Sequence, residues 1–243
     1  MFRHDGHDLF FSRDEQRTRP AAERPQRLES GGVPFLAPRD AKGGGTWIFS
    51  NAHGVTACLL NFYQARFPAP PPTRSRGLLL SDLAPAADLA DLDIRIQAAT
   101  AESSYAPCYV VALGPETKAG LWIWTGRVLH RVRYPMRAPI STSSYDGDRI
   151  VSKRGEEFDR LAAKHPLTPA LLRRYHESPD RPADACSVRM SRPDARSVSL
   201  THVSAEPANV VMSYAERDGD EDFGERRNTS LRLFSTKPDP LTI

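Results

Sequence analysis

The sequence predicts an α+β fold in which helices pack on antiparallel sheet, and three observations carry that prediction. Apolar residues recur at every second position through most of the chain, turn-forming residues separate these stretches, and helical periodicity is confined to a few places. The resulting order is strands, helices, strands, helices, strands, which suits layers of helix on antiparallel sheet. With 243 residues, 40% of them hydrophobic and 26% charged, the chain has the length and apolar content for one domain spanning residues 1–243.

Asp5-Gly6 is a hairpin turn signal, and Asp8-Leu9-Phe10-Phe11-Ser12 after it reads as a strand. Only four residues precede that turn, fewer than an ordinary strand needs. Either His4 to His7 is a polar tail, or a first strand lies upstream of Met1. Residues 46–50 and 55–61 form a second hairpin around Asn51-Ala52-His53-Gly54, and residues 108–113 and 121–124 a third strand pair. Residues 187–191, 196–203 and 209–214 read as a three-stranded meander, with turns at Arg192-Pro193-Asp194 and Glu206-Pro207. Helices fit residues 75–100, interrupted at Pro85, then 150–164 and 168–176, the last with Thr168 as N-cap and Pro169 in its first turn. Pro68 to Pro72 is a stiff extended connection, and residues 216–243 are expected to form an acidic loop and a frayed tail.

Several functional classes find no support. Lys and Arg total 33 against 30 Asp and Glu, a formal net charge of +3 with no clustered basic face, so nucleic acid is not an expected partner. The densest basic stretch, residues 127–137, alternates with apolar residues as a half-exposed strand does. No apolar run approaches the ~18 residues that span a bilayer. Three cysteines without CxxC spacing (Cys58, Cys108 and Cys186) argue against a disulfide framework or zinc site and for a reducing, cytoplasmic setting. The seven histidines lack HExxH or HxH spacing, so no metal is expected; no cofactor motif is present, and no Gly-x-Ser-x-Gly elbow exists.

The chemistry-bearing candidates are few. Ser12-Arg13-Asp14-Glu15 ends an apolar strand and places a guanidinium fork beside two carboxylates, suited to gripping an anion or simply to facing water. Gly43-Gly44-Gly45-Thr46 runs into a strand; its backbone N–H groups could approach an anion, but it lacks the Walker ending and also reads as a structural turn. Asn61 closes an apolar strand, where its amide could donate to a ligand or cap a turn. Arg74 and Arg76 precede a helix start, a place suited to an anion.

Phe10-Phe11-Ser12-Arg13-Asp14-Glu15, Arg19-Pro20, Gly44-Gly45-Thr46-Trp47, Leu59-Leu60-Asn61 and Arg76-Gly77 together resemble, in order and spacing, the family named for its Asn-Arg-Asp-Glu signature, which includes the transport and Golgi organisation protein 2 homologues. The resemblance implies an N-terminal-nucleophile-hydrolase-like αββα sandwich, two antiparallel sheets between helix layers. In such enzymes an N-terminal Cys is the nucleophile and its own α-amino group the base. Carried over, Arg13 and Asp14 flank that nucleophile and Asn61 donates to the oxyanion. Ser12, Glu15, Gly45, Thr46 and Arg76 complete the expected ligand-binding set. Two departures stand out: Ser12 replaces the signature Asn, and Phe2 stands where the family opens with Met-Cys-Thr. The resemblance therefore implies a cytosolic pocket protein handling an acyl-CoA-, lipid- or haem-like anionic ligand. The alternative is a C–N amide hydrolase whose Cys, with a first strand, lies upstream of Met1. A structural or interaction protein is the third class.

Overall fold

The computed structural model describes residues 1–65, 69–115, 117–132, 139–177, 183–219 and 221–234. Its twelve described strands and four helices form two antiparallel sheets. The first sheet is a meander of seven strands in chain order: β3 (Glu23–Ser30), β4 (Val33–Arg39), β5 (Ile48–Asn51), β6 (Thr56–Asn61), β7 (Cys108–Leu113), β8 (Ala119–Trp124) and β9 (Leu129–Val132). The second has the order β1 (Phe2–Arg3), β2 (Gly6–Gln16), β10 (Ala195–Ala205), β11 (Asn209–Glu216) and β12 (Arg227–Arg232).

Alternation along the strands stacks the sheets and leaves each an outer face for helices. Ala57 and Leu59 of β6, with Val110 and Ala112 of β7, pack with Leu79, Leu80, Leu92 and Ile96 of helices α1 (Arg76–Asp82) and α2 (Leu89–Glu102). Their neighbours Cys58 and Val111 turn the other way and meet Val203, Val210, Met212 and Tyr214 of the second sheet. On β2, Leu9 and Phe11 join this inter-sheet core, whereas Phe10 stacks on His176 at the end of α4 (Pro169–His176). Helix α4 packs in turn on α3 (Gly147–Ala162) through Phe158, Leu161, Leu171 and Tyr175. No described helix is long and apolar enough to cross a membrane.

The helix break at Pro85 and the Thr168 cap, whose hydroxyl accepts from the Leu171 N–H, agree with the sequence reading. Elsewhere the structure differs from it. Residues 187–191 are not a strand: the Asp184 carboxylate accepts the N–H groups of Cys186 and Ser187, and the Met190 N–H goes to the Ser197 hydroxyl. These side-chain bonds displace a ladder, leaving one bridge between Ser191 and Arg196. Strands β3 and β4 were hidden by Pro25, Pro34 and Pro38; β3 is an edge strand whose register shifts between Glu23 and Gln26, where a missing N–H is tolerated. Within the expected acidic loop and tail, Arg227–Arg232 pair with β11; residues 235–243 of that tail, Pro68 of the proline connection and residues 133–137 of the basic stretch lie outside the described residues. Before the Asp5-Gly6 signal, Phe2 and Arg3 pair with His7 and Gly6, so the turn falls on His4-Asp5. Gly6 is required for packing instead: a Cβ there would meet the Ala205 carbonyl oxygen at 2.0 Å.

Candidate functional site

Beyond Phe11, the side chains that continue the inward-facing row of β2 are charged. Arg13 is 8% exposed, and its guanidinium lies 4.2 Å over the Trp47 ring. Its Nη2 donates to Asp40 Oδ2 at 2.8 Å and to Glu15 Oε2 at 3.1 Å. Arg19 grips the same Asp40 in bidentate fashion, Nε to Oδ2 at 2.9 Å and Nη2 to Oδ1 at 3.0 Å. Burial alone would raise the Asp40 carboxyl, but Arg19, the Gly43 N–H and the charge of Arg13 hold it below the usual carboxylate range. Burial lowers the Arg13 pKa against the opposing pull of Glu15 and Asp40. Arg13 is thus already neutralised by the protein's own carboxylates.

Asp40 also shapes the glycine loop. Its Oδ1 accepts from the N–H groups of Lys42 and Gly43, and its backbone N–H donates to Gly45 O at 2.8 Å. The loop then presses against the start of α1, where Thr46 N–H donates to Gly77 O. A Cβ on Gly45 would lie 2.2 Å from the Gly77 carbonyl carbon, so only glycine fits. Thr46 is buried and donates its hydroxyl to Ile48 O, a structural bond.

The alternate residues of β2 face α3 and α4. Ser12 Oγ lies 2.8 Å from His176 Nδ1, and Asp14 Oδ1 accepts from Ser197 Oγ at 2.6 Å. Asp14 Oδ2 stands 3.6 Å from the Arg154 guanidinium, which also donates to Ser141 Oγ. Burial, helped by the charge of Arg154, pushes His176 down to about 4, so its ring is neutral near pH 7.

All of Ser12, Arg13, Asp14, Glu15, Gly45, Thr46, Asn61 and Arg76 line one cavity of about 580 Å³. Asn61, at the end of β6, donates its amide to the Tyr63 hydroxyl at 2.6 Å, and Arg76 opens α1 with Nη1 on Pro107 O. Arg74 points elsewhere, into an exposed pair with Asp82. Three contributors escaped the sequence reading: Asp40, Arg154 and His176, each far in sequence from β2 and carrying no local motif. Alternation could have flagged Arg154, since it falls among Ile150, Phe158 and Leu161 on the buried face of α3. Three buried atoms of cavity-lining residues have no hydrogen-bond partner among the described residues: Arg154 Nε, Trp47 Nε1 and Arg192 Nε.

The cavity is built by segments that fall mostly within residues 9–123, which match the family model described as Transport and Golgi organisation 2. No curated protein matches the chain. The matched stretch holds the Ser-Arg-Asp-Glu strand, the glycine loop, Asn61 and Arg76 in the order that marks the Asn-Arg-Asp-Glu family, so over residues 9–123 the chain is similar to the Transport and Golgi organisation 2 family.

Proposed function

We propose that the protein is a binding or handling module whose cavity takes an acyl-CoA-, lipid- or haem-like anionic ligand, on an N-terminal-nucleophile-hydrolase-like scaffold in the cytoplasm. One observation carries the reading: the eight residues singled out by the sequence, spread from position 12 to position 76, line a single cavity of about 580 Å³. That volume lies within the range of small-molecule sites. Roles divide by what each group already touches. Arg13 is held by Glu15 and Asp40 and positions the wall, while Arg76 meets a carbonyl rather than a carboxylate and keeps its charge for a ligand. Arg154, with a buried Nε lacking a partner among the described residues and a weak contact to Asp14, is the second cation for the anionic group. Phe10, Leu60 and Ile140 supply apolar wall for an acyl or macrocyclic portion. Cys58 and Cys108 are buried thiols pushed up to about 12 by desolvation and offer no thiolate to the cavity.

Titration calorimetry with palmitoyl-CoA and with haemin tests the reading. Binding of one of them in the micromolar range, weakened about tenfold by Arg76→Ala or Arg154→Ala, is the expected result. Absence of any binding below millimolar for both ligands removes it.

A further inference from the structure

We infer that a second, smaller cavity, beside Arg196 where the chain leaves β2, binds a free tetrahedral oxyanion of the phosphate or sulfate class. The cavity measures about 140 Å³ and is lined by the end of β2, residues 17 and 19–22, the start of β10 and the end of β11. A water molecule occupies ~30 Å³ in the liquid, so the space holds about five such atoms, the number in a tetrahedral oxyanion. Arg13, Glu15, Gln16 and Arg19 form a wall shared with the larger cavity, yet the occupant of each is assigned independently.

Five arginines line this space, Arg13, Arg17, Arg19, Arg196 and Arg217, against two carboxylates, Glu15 and Glu216. Both carboxylates are engaged by other cations. Glu15 Oε2 lies 3.1 Å from Arg13 Nη2 and 3.3 Å from Arg19 Nε, and its Oε1 accepts the Gln16 N–H. Glu216 is held by Arg24 Nη2 at 2.6 Å. Arg196 stands directly across the β2–β10 ladder from Glu15, the position from which a cross-strand ion pair ordinarily forms. Among the described residues it forms none, and Arg196 Nη1 is buried without a hydrogen-bond partner. A buried guanidinium N–H without an acceptor is costly, and an anion with several lone pairs removes that cost. The planar fork of Arg196 also matches two oxygens of one tetrahedral anion, an edge that a spherical chloride lacks. Tyr214, 3% exposed, lines the same space, and burial raises its phenol pKa, so it stays an O–H donor. Ala21, Ala22 and Val198 close the wall without adding an acceptor side chain.

Titration calorimetry of the full chain with inorganic phosphate and with sulfate, in chloride buffer, tests this. One ion per chain is expected to bind in the submillimolar range, and Arg196→Ala is expected to weaken it at least tenfold. Arg196→Gln fills nearly the same space and should lose the ion equally, which separates loss of the site from a folding defect of the alanine variant. Arg149→Ala removes an exposed cation on α3 and should change nothing. If neither ion binds below millimolar, or if phosphate binds and both Arg196 variants retain it, the site falls. Displacement of phosphate by an equal concentration of chloride would reduce the cluster to diffuse positive charge and overturn the site as well. If Arg196→Ala weakens palmitoyl-CoA while inorganic phosphate does not bind, the free-ion assignment falls and the anionic-ligand reading of the larger cavity stands.

Discussion

The core under α1 and α2 and the surroundings of β2 treat polar atoms differently. Between the seven-stranded sheet and helices α1 and α2 the core is apolar, with Trp122, Leu79, Leu80, Leu92 and Ile96 almost fully buried. Among the described residues its one buried side-chain amide, Asn51, is fully engaged: Nδ2 donates to Ala84 O and Ala86 O, and Oδ1 accepts from His53 and Val55 N–H; Tyr105 Oη is its one buried polar atom without a hydrogen-bond partner there. Around β2 the same depth holds His7, Asp8, Arg13, Arg154 and Ser199, and atoms without a partner among the described residues, such as Trp47 Nε1 and Arg154 Nε, sit at the cavity wall. One side holds the fold together; the other keeps polar capacity unspent, which is what a ligand can use.

The largest expected effect lies on the apolar side. Asn51→Ala removes four hydrogen bonds and strands two carbonyls and two N–H groups in the link between the β5–β6 turn and the α1–α2 connection. Each buried group left unsatisfied costs about 1–3 kcal/mol, so a loss of about 4 kcal/mol in urea unfolding is expected. A loss under about 1 kcal/mol would mean that this amide is not the clamp the structure shows. Next comes Asp40→Ala, which leaves Arg13 with Glu15 alone and frees the glycine loop. Breaking such a half-buried network is expected to cost about 3 kcal/mol. The adjacent Arg19→Ala variant, whose side chain is more exposed, should cost clearly less.

Acid should expose the same contrast. His7 and His176 are both pushed down to about 4, first by burial and then by nearby positive charge. In the unfolded chain each takes up a proton near pH 6.5, whereas in the fold neither does until about pH 4. The unfolded state therefore binds more protons in that window, and stability falls as pH drops from about 6.5 toward 4. At pH 5 the expected loss is about 2 kcal/mol per histidine. The difference in unfolding free energy between pH 7 and pH 5 should shrink by about that amount in His176→Phe. An unchanged pH dependence in that variant would show that His176 protonates freely in the folded state.

What the sequence disclosed follows the same division. Strands that are near-continuous apolar runs between turn signals, such as residues 56–61 and 108–113, are legible because burial on both faces dictates the pattern. Helix boundaries at Ser75, Asp88 and Thr168 are written locally as cap residues. Strands β3 and β4 were not legible, since their prolines are harmless only given an edge position or a register shift that long-range pairing creates. Of the site, the residues within one short signature were readable, whereas Asp40 and Arg154 reach Arg13 and Asp14 from 27 and about 140 positions away. No local rule links positions so far apart. The two-residue β1 was also unexpected, because it borrows its stability from β2 rather than from its own length.

The smallest expected effect on stability is at Asn61, and it sharpens the comparison most. Its amide donates to the Tyr63 hydroxyl near the cavity mouth, where water can replace either partner. Asn61→Ala is therefore expected to shift unfolding by no more than about 0.5 kcal/mol, an eighth of the Asn51 effect ten residues away in the same hairpin. If the amide serves the ligand, the same variant should weaken binding of the calorimetric ligand about fivefold, the equivalent of one neutral hydrogen bond. The two asparagines then separate cleanly: one moves stability and hardly touches affinity per folded molecule, the other does the reverse. A loss of stability at Asn61 with unchanged affinity would assign it to the turn that follows β6 and take the amide out of the site.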